Sequence, residues 1–176
     1  IKIKKALISV FDKTNIIDIS KFLISQKIEI YSSGGTYKFL KENNIKVNEV
    51  SKYTKSPEIL EGRVKTLHPK IHGGILAKRN VPDHLKELKK NKIILLDLVI
   101  VNLYPFKKTV ASKSSFKECI ENIDIGGPTL IRAAAKNFEF VTTMTDPNDY
   151  QKFIDEMKKN KNHISKNTRL NLATKA

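Results

Sequence analysis

Short apolar runs that alternate with helical segments are the feature that most constrains the fold of this 176-residue chain. The clearest run, residues 97–102, reads Asp-Leu-Val-Ile-Val-Asn and is followed by Leu-Tyr-Pro. A continuous, β-branched run of this length is typical of a strand buried on both faces of a parallel sheet. Further strands are predicted at residues 6–10, 28–32, 46–50, 75–78 and 140–144.

Helices are predicted between these strands. Ile16, Ile19, Phe22 and Leu23 recur at helical spacing, after a cap provided by Thr14 or Asn15. Other helices are predicted at residues 36–42, 82–91, 115–120, 129–136 and 146–159. Because strands alternate with helices, we predict an α/β fold in which a parallel sheet is covered by helices on both faces.

The net charge of +15 suggests a nucleic-acid-binding protein as one interpretation. However, only Arg63, Arg79, Arg132 and Arg169 are arginines, and the lysines are spread along the whole chain. Arginine is the residue that most often reads bases and grips phosphates in pairs of hydrogen bonds. We therefore interpret the lysines as solvated surface and predict no specific nucleic-acid partner.

The composition fits one globular domain, with 40% hydrophobic and 29% charged residues. Its single cysteine, Cys119, excludes an internal disulfide and fits a reducing compartment, so we predict a cytoplasmic protein. No apolar run approaches the roughly 20 residues that a membrane span needs, and we predict no membrane partner.

Residues 62–74 read Gly-Arg-Val-Lys-Thr-Leu-His-Pro-Lys-Ile-His-Gly-Gly, a run rich in donors that Pro69 and the paired glycines are predicted to keep from forming one regular helix. Cations beside glycine suit a small anionic ligand, because the backbone can approach it closely. His68 and His72 are four residues apart, a spacing that binds zinc on a helix. No third ligand stands nearby in an obvious pattern, so we predict ordinary hydrogen-bonded histidines and no metal.

Three more polar loops have the same character: residues 32–36 (Ser-Ser-Gly-Gly-Thr), 102–106 (Asn-Leu-Tyr-Pro-Phe) and 124–129 (Asp-Ile-Gly-Gly-Pro-Thr). The first follows a strand and opens a helix, where free amides and the helix dipole favour an anion. In parallel sheets ligands bind outside the carboxyl ends of the strands. We therefore expect the four loops to form the rim of one nucleotide-sized site.

Each of these residues also has a purely structural interpretation. Asp124 is either the first residue of an ordinary turn and cap, or a base beside exposed amides that bind an oxyanion. Tyr104 is either a strand-end aromatic or a phenol placed to donate a proton. Lys136, at the end of the Ala-rich helix, normally complements a helix C-terminus.

Taken together, the motifs resemble the inosine-monophosphate (IMP) cyclohydrolase domains of bifunctional purine biosynthesis proteins, which have a methylglyoxal-synthase-like, Rossmann-like three-layer fold. The resemblance covers nearly the whole chain. It rests on Ala-Leu-Ile-Ser-Val, Asp-Lys-Thr, Ser-Gly-Gly-Thr, residues 62–76, Val-Asn-Leu-Tyr-Pro-Phe, Asn-Ile-Asp-Ile-Gly-Gly-Pro-Thr and Ala-Ala-Lys-Asn. The long block at 62–74 and the block at 102–106 disfavour methylglyoxal synthase itself.

The resemblance implies dehydrative ring closure of the formylated aminoimidazole carboxamide ribonucleotide to IMP, without a cofactor or metal. It implies catalytic roles for Lys65, Tyr104, Asp124 and Lys136. It further implies that phosphate and ribose are bound by Ser9, Lys13, Ser33, Gly34, Gly35, Thr36, Arg63, Lys65 and Thr66, and the base by Asn102, Asp124, Gly126 and Gly127. The family's formyl-transfer activity belongs to a C-terminal domain that we expect this chain to lack.

The same resemblance implies a homodimer, a cyclohydrolase domain over residues 1–160 and the start of a helical connection over residues 161–176. The chain departs from the family at Phe11, where a hydroxyl residue is usual, and at Phe138, where a histidine is usual. We expect the change at Phe11 to remove one phosphate donor and the change at Phe138 to be peripheral. A regulatory nucleotide-binding module without turnover is the alternative function.

Overall fold

Five short strands form a parallel sheet in the computed structural model, which describes residues 1–112 and 114–176. Their order across the sheet is β3-β2-β1-β4-β5, and every neighbouring pair is parallel. The strands are β1 (Lys5–Val10), β2 (Glu29–Ser32), β3 (Asn48–Glu49), β4 (Leu98–Asn102) and β5 (Thr142–Met144). The predicted parallel sheet is therefore confirmed.

Ten helices connect and cover the strands in the described residues. They are α1 (Ile16–Ser25), α2 (Gly34–Glu42), α3 (Val50–Thr54), α4 (Pro69–Leu76), α5 (Pro82–Lys90), α6 (Phe106–Ala111), α7 (Phe116–Glu121), α8 (Gly126–Lys136), α9 (Tyr150–Lys159) and α10 (Lys166–Lys175). None of these helices has the length and apolar character needed to cross a membrane. Two short 3₁₀ turns, Leu60–Gly62 and Pro147–Asp149, complete the regular structure described.

Two separate apolar cores lie on opposite faces of the sheet. Ile8 and Ile100 face a core that contains the buried residues of α1 and α9. Leu7 and Val99, their neighbours along the same strands, face a core that contains the buried residues of α4 and α8. Because successive side chains of a strand point to opposite faces, a continuous apolar run fills both cores. The predicted three-layer arrangement is confirmed.

Two strand predictions were wrong: the strand at 75–78 is absent, and the strand at 46–50 is shorter than predicted. Residues 75–78 form no strand, since Ile75 lies inside α4 and the chain then leaves the helix. The paired glycines are also helical: a methyl group on Gly74 would lie 2.3 Å from the carbonyl oxygen of Ile94, so α4 packs directly on the chain before β4. The strand predicted at 46–50 shrinks to β3, because Val50 begins α3.

The start of α1 also differs from its prediction. Asn15 occupies the cap position, but with a left-handed φ of 56° and without a hydrogen bond from its side chain to the helix. The hydroxyl of Thr14 instead donates to Asp12. The predicted helix at residues 115–120 is present as α7, and it begins with a reciprocal capping box between Ser115 and Glu118.

The C-terminal segment 161–176 packs tightly on the rest of the domain. Arg169, only 5% exposed, donates to the backbone carbonyls of Ile164, Phe138 and Glu139. The chain just before α10 also pairs with the N-terminus, where Ile164 N–H donates to Ile1 O. The predicted start of an interdomain connection at residue 161 stays a prediction, but α10 is packed as part of this domain.

Replacing Arg169 by methionine should destabilise the domain by about 3 kcal/mol, because carbonyls that accept from a guanidinium lose their donors in a poorly solvated place. Chemical denaturation would measure the change in the free energy of unfolding. Lys166→Met on the same helix is the matched control, since its exposed pair with Glu139 contributes at most about 1 kcal/mol. Equal losses in the two variants would contradict the anchoring role.

Candidate active site

A cavity of about 530 Å³ opens at the carboxyl ends of β1 and β4. This is the place where the sheet order reverses, because the chain adds β2 and β3 on one side of β1 and then returns to add β4 on the other. Ligands of open α/β sheets bind at such a switch point. The cavity is lined by residues of the four predicted loops and of α7.

All of the predicted site residues except Gly34 and Lys136 line this cavity. They are Ser9, Lys13, Ser33, Gly35, Thr36, Arg63, Lys65, Thr66, Asn102, Tyr104, Asp124, Gly126 and Gly127. The prediction that the four loops converge at one place is confirmed by this geometry. The individual roles of these residues stay predictions.

The side chain of Asn102 holds the loop that follows β1. Its Oδ1 accepts from the N–H groups of Phe11 (2.7 Å) and Asp12 (2.9 Å), and its Nδ2 donates to the carbonyl of Asp12 at 2.8 Å. Thr36 likewise holds the end of β1. Its hydroxyl accepts from the N–H of Val10 and donates to the carbonyl of Val10, with both distances 3.0 Å. The Asn102 amide, predicted to meet a base, therefore has a structural task in this conformation.

The N-terminus of α2 carries the features of an anion site. Ser33 is 3% exposed, and its hydroxyl oxygen has no hydrogen-bond partner among the described residues. The Gly34 N–H donates to a carboxylate oxygen of Glu58 at 2.7 Å. The amide predicted to bind phosphate thus already binds an internal anion, as the helix dipole favours.

Lys65 lies directly over this helix N-terminus. A methyl group on Gly34 would be 3.0 Å from Lys65 Nζ, and Gly34 has a left-handed φ of 54° that favours glycine. Gly34 therefore brings the ammonium close to the anion site although it does not line the cavity. Arg63, in contrast, forms an ion pair with Glu121 of α7 beside the cavity, and both side chains are exposed.

Asp124 is oriented by the start of α8. Its carboxylate accepts from the Gly127 N–H at 2.8 Å. A methyl group on Gly127 would lie 2.6 Å from the Asp124 carboxylate and 2.5 Å from Leu103, so a larger residue would displace these side chains. The Gly127 amide, predicted to bind an oxyanion, is occupied by Asp124 in this structure and serves to orient it.

Tyr104 lies on the irregular stretch between β4 and α6, with its ring against that of Phe11. The two ring centroids are 5.1 Å apart and both side chains line the cavity. Phe11 therefore places an aromatic ring at the wall of the site.

Lys136 is the one predicted catalytic residue that the fold does not bring to the cavity. It is exposed at the last position of α8, whose first residues, Gly126 and Gly127, line the cavity. Ten residues of helix separate the two ends by about 15 Å, which exceeds the reach of a lysine side chain.

The prediction of ordinary hydrogen-bonded histidines is confirmed for His68 and is wrong for the buried Nε2 of His72. His68 Nδ1 accepts from the Lys70 N–H at 3.1 Å and so caps α4. His72 lies within α4, with its Nε2 buried and unpartnered among the described residues. Across residues 1–112 and 114–176, no three side chains of metal-binding type cluster in a way that would hold an ion.

Two carboxylates of the site were missed by sequence reasoning. Glu58 and Glu121 lie outside the predicted motifs, yet they occupy the Gly34 amide and the Arg63 guanidinium. Glu58 is 24 residues from Gly34, and Glu121 is 58 residues from Arg63. No local sequence pattern indicates contacts over such separations. Only the acidic character of residues 118–124, close to the predicted Asp124, hinted at negative charge near the site.

Comparison with known proteins agrees with this geometry. Residues 15–129 match the family described as MGS-like domain, and residues 134–176 match the family described as AICARFT/IMPCHase bienzyme. The chain is 55% identical over 172 residues to the bifunctional purine biosynthesis protein PurH of Clostridium perfringens (strain SM101 / Type A). It is 56% identical over 173 residues to PurH of Clostridium botulinum (strain Kyoto / Type A2).

Each of these two alignments covers 98% of this chain and 34% of the relative, so the chain spans about a third of the length of the curated relatives it matches. Among solved structures, the crystal structure of ForH matches with a TM-score of 0.84 and 32% sequence identity. That match covers 98% of this chain and 90% of the other.

The buried imidazole of His72 should make stability depend on pH, since burial lowers the pKa of His72 below its ordinary value near 6.5. Between about pH 7 and the lowered folded pKa, the unfolded chain binds a proton that the folded chain excludes. As the pH is lowered through that window, the free energy of unfolding should fall by up to about 1.4 kcal/mol per pH unit.

Denaturation curves from pH 5.5 to 8 would measure this dependence. His72→Leu should flatten the fall below pH 7. An unaltered pH dependence in His72→Leu would contradict the assignment.

Proposed function

The chain belongs to the family of MGS-like domains, and from this premise we propose that it is an IMP cyclohydrolase of purine biosynthesis. The proposed substrate is 5-formamidoimidazole-4-carboxamide ribonucleotide, and the products are IMP and water. The observation that carries the proposal is that Lys65, Tyr104 and Asp124 line one nucleotide-sized cavity beside the N-terminus of α2. Its similarity to PurH proteins supports the same assignment.

The phosphate is proposed to bind at the N-terminus of α2. There the buried Ser33 hydroxyl has no other partner, and Lys65 supplies a positive charge. Glu58 would be displaced from the Gly34 amide, since a phosphate dianion competes for the same donor more strongly than one carboxylate. Ser9, Lys13, Gly35, Thr36, Arg63 and Thr66 complete the proposed phosphate and ribose contacts.

The base is proposed to lie between the ends of β4 and α8. Gly126 would approach it through its backbone, and Asp124, held by the Gly127 amide, would face the carboxamide. Asn102 would act by fixing the Phe11–Asp12 loop that forms one wall of the cavity. Binding in this way would bring the reacting groups together with little reorganisation.

Ring closure needs no redox step. The carboxamide nitrogen attacks the formyl carbon, a C–N bond forms, and Asp124 accepts or orients the proton that nitrogen loses. The formyl oxygen takes up a proton and becomes the hydroxyl of a tetrahedral carbinolamine. This hydroxyl leaves as water when Tyr104 and Lys65 supply a second proton, and the former formamido nitrogen releases its own proton as the C=N bond of the new ring forms. Because both reacting groups are on one imidazole, the protein's main task is to position them.

A homodimer in the cytoplasm completes the proposal. Exposed apolar side chains on and around α6 and α7 support a partner surface, since monomeric proteins rarely leave such groups together in water. They include Phe106, Val110, Phe116, Ile120 and Ile123. The nucleotide is the proposed small-molecule partner, with no specific nucleic acid.

The purified chain should convert the formylated ribonucleotide to IMP without added folate or metal, followed by the ultraviolet absorbance of the purine. Lys65→Ala should lower kcat at least about 100-fold, because it removes both a proton donor and a cation at the anion site. Lys70→Ala is the matched control, since Lys70 lies over the ring of Tyr53 and not in the cavity.

Equal turnover in Lys65→Ala and the wild type would contradict the proposed chemistry. Wild-type chain that binds IMP but forms no product would instead favour a regulatory nucleotide-binding module.

Lys136 enters the proposal as an oxyanion donor that a second copy of the chain supplies, because about 15 Å of helix separates it from its own cavity. Lys136→Ala should therefore lower turnover while leaving IMP affinity nearly unchanged. Mixing Lys136→Ala chains with Lys65→Ala chains should restore activity, since one site of each hybrid dimer then holds both lysines. Wild-type turnover in Lys136→Ala would contradict a catalytic role for Lys136. If the mixture does not recover activity, the proposal that Lys136 comes from a second copy of the chain is wrong.

A further inference from the structure

Phe11 and Tyr104 form an aromatic pair on the wall of the cavity. Their ring centroids are 5.1 Å apart and the ring planes are inclined by 51°. Phe11 is 47% exposed and Tyr104 is 42% exposed, so the pair faces the open cavity and not a packed core. A tilted contact at this distance is a favourable arrangement of two aromatic rings.

The backbone of Phe11 is held rigidly against the strand that leads to Tyr104. Asn102, two residues before Tyr104, accepts the Phe11 N–H at 2.7 Å and the Asp12 N–H at 2.9 Å. Lys13 Nζ donates to the Phe11 carbonyl at 3.2 Å. The backbone that carries the Phe11 ring is therefore held at both of its polar groups. Its N–H is bonded to Asn102 at the end of β4, and its carbonyl is bonded to Lys13.

Tyr104 has few restraints of its own. It lies between β4 and α6, where its carbonyl accepts from the Phe106 N–H at 2.8 Å. Within residues 1–112 and 114–176, no hydrogen bond fixes the Tyr104 hydroxyl. The backbone of Tyr104 is thus held on its own chain, whereas the direction of its ring depends on what the ring packs against.

We propose that Phe11 is a positioning residue for Tyr104, and that its ring directs the Tyr104 phenol toward the reacting atoms in the cavity. This inference rests on the proposed function. The site would thereby gain a contact that the usual hydroxyl residue at position 11 lacks. The expected loss of a phosphate donor at Phe11 and the gain of an aromatic wall are two effects of one substitution.

Steady-state kinetics separate positioning from binding. Phe11→Leu keeps an apolar side chain but removes the ring, and it should lower kcat roughly tenfold while KM changes less than about twofold. Phe11→Tyr keeps the ring and should retain wild-type kcat. Leu85→Ala, at an exposed side chain of α5 outside the cavity and away from the proposed dimer surface, is the control and should match the wild type.

An unchanged kcat in Phe11→Leu would overturn the proposal. A raised KM with unchanged kcat would also overturn it, because Phe11 would then contact the substrate directly without acting on Tyr104.

A second measurement does not depend on turnover. Nuclear magnetic resonance of chain labelled with ¹³C in tyrosine rings would identify Tyr104 as the signal lost in Tyr104→Phe. The Tyr104 ring signals should move toward exposed-tyrosine positions in Phe11→Leu and stay nearly unchanged in Leu85→Ala. Unmoved signals in Phe11→Leu would overturn the positioning role even for an active enzyme, whereas a wild-type chain without turnover but with the expected shifts would refute only the proposed activity.

Discussion

The parallel pairing of β1 with β4 is the contact on which the rest of this structure depends. It sets Val10 beside Asn102 at the carboxyl ends of the two strands, although these residues lie far apart in sequence. Through the amide of Asn102, the same pairing fixes the loop that begins at Phe11. A displacement of either strand by one residue would turn Asn102 away from this loop and remove one wall of the cavity.

Electrostatic compensation inside the site follows a consistent pattern. Three donors in or beside the cavity each have an internal carboxylate as partner: Glu58 at the Gly34 amide, Glu121 at Arg63, and Asp124 at the Gly127 amide. Partnered donors avoid the cost of poorly solvated charge. Two of these carboxylates, Glu58 and Glu121, occupy groups that are proposed to bind an anionic ligand, so the proposed ligand would compete with them. Asp124 differs, because its hydrogen bond with the Gly127 amide orients its carboxylate at the start of α8.

The sequence was sufficient for the layout of the fold and for most of the site. Continuous β-branched runs and helical periodicity predicted the parallel sheet and its helices, since these patterns depend on local chain geometry. The strand predicted at 75–78 was wrong, because a short apolar run beside paired glycines has no distinctive period. The helix found there instead depends on the close packing of Gly74 against Ile94. Glycine loops after strands located the cavity because parallel strands end at a common edge.

What the sequence determined by itself is which chemical groups are available and on which loops they lie, because the order of most strands and helices follows from local pattern. Only the tertiary structure decided how those groups are used. In the folded chain the Asn102 side-chain amide bonds the loop after β1, the Gly127 N–H donates to Asp124, and the Gly34 N–H donates to Glu58. Lys136 lies at the end of α8 that is distant from the cavity. Hydrogen bonds and ring contacts between distant segments depend on register and helix direction, which no local stretch of sequence encodes.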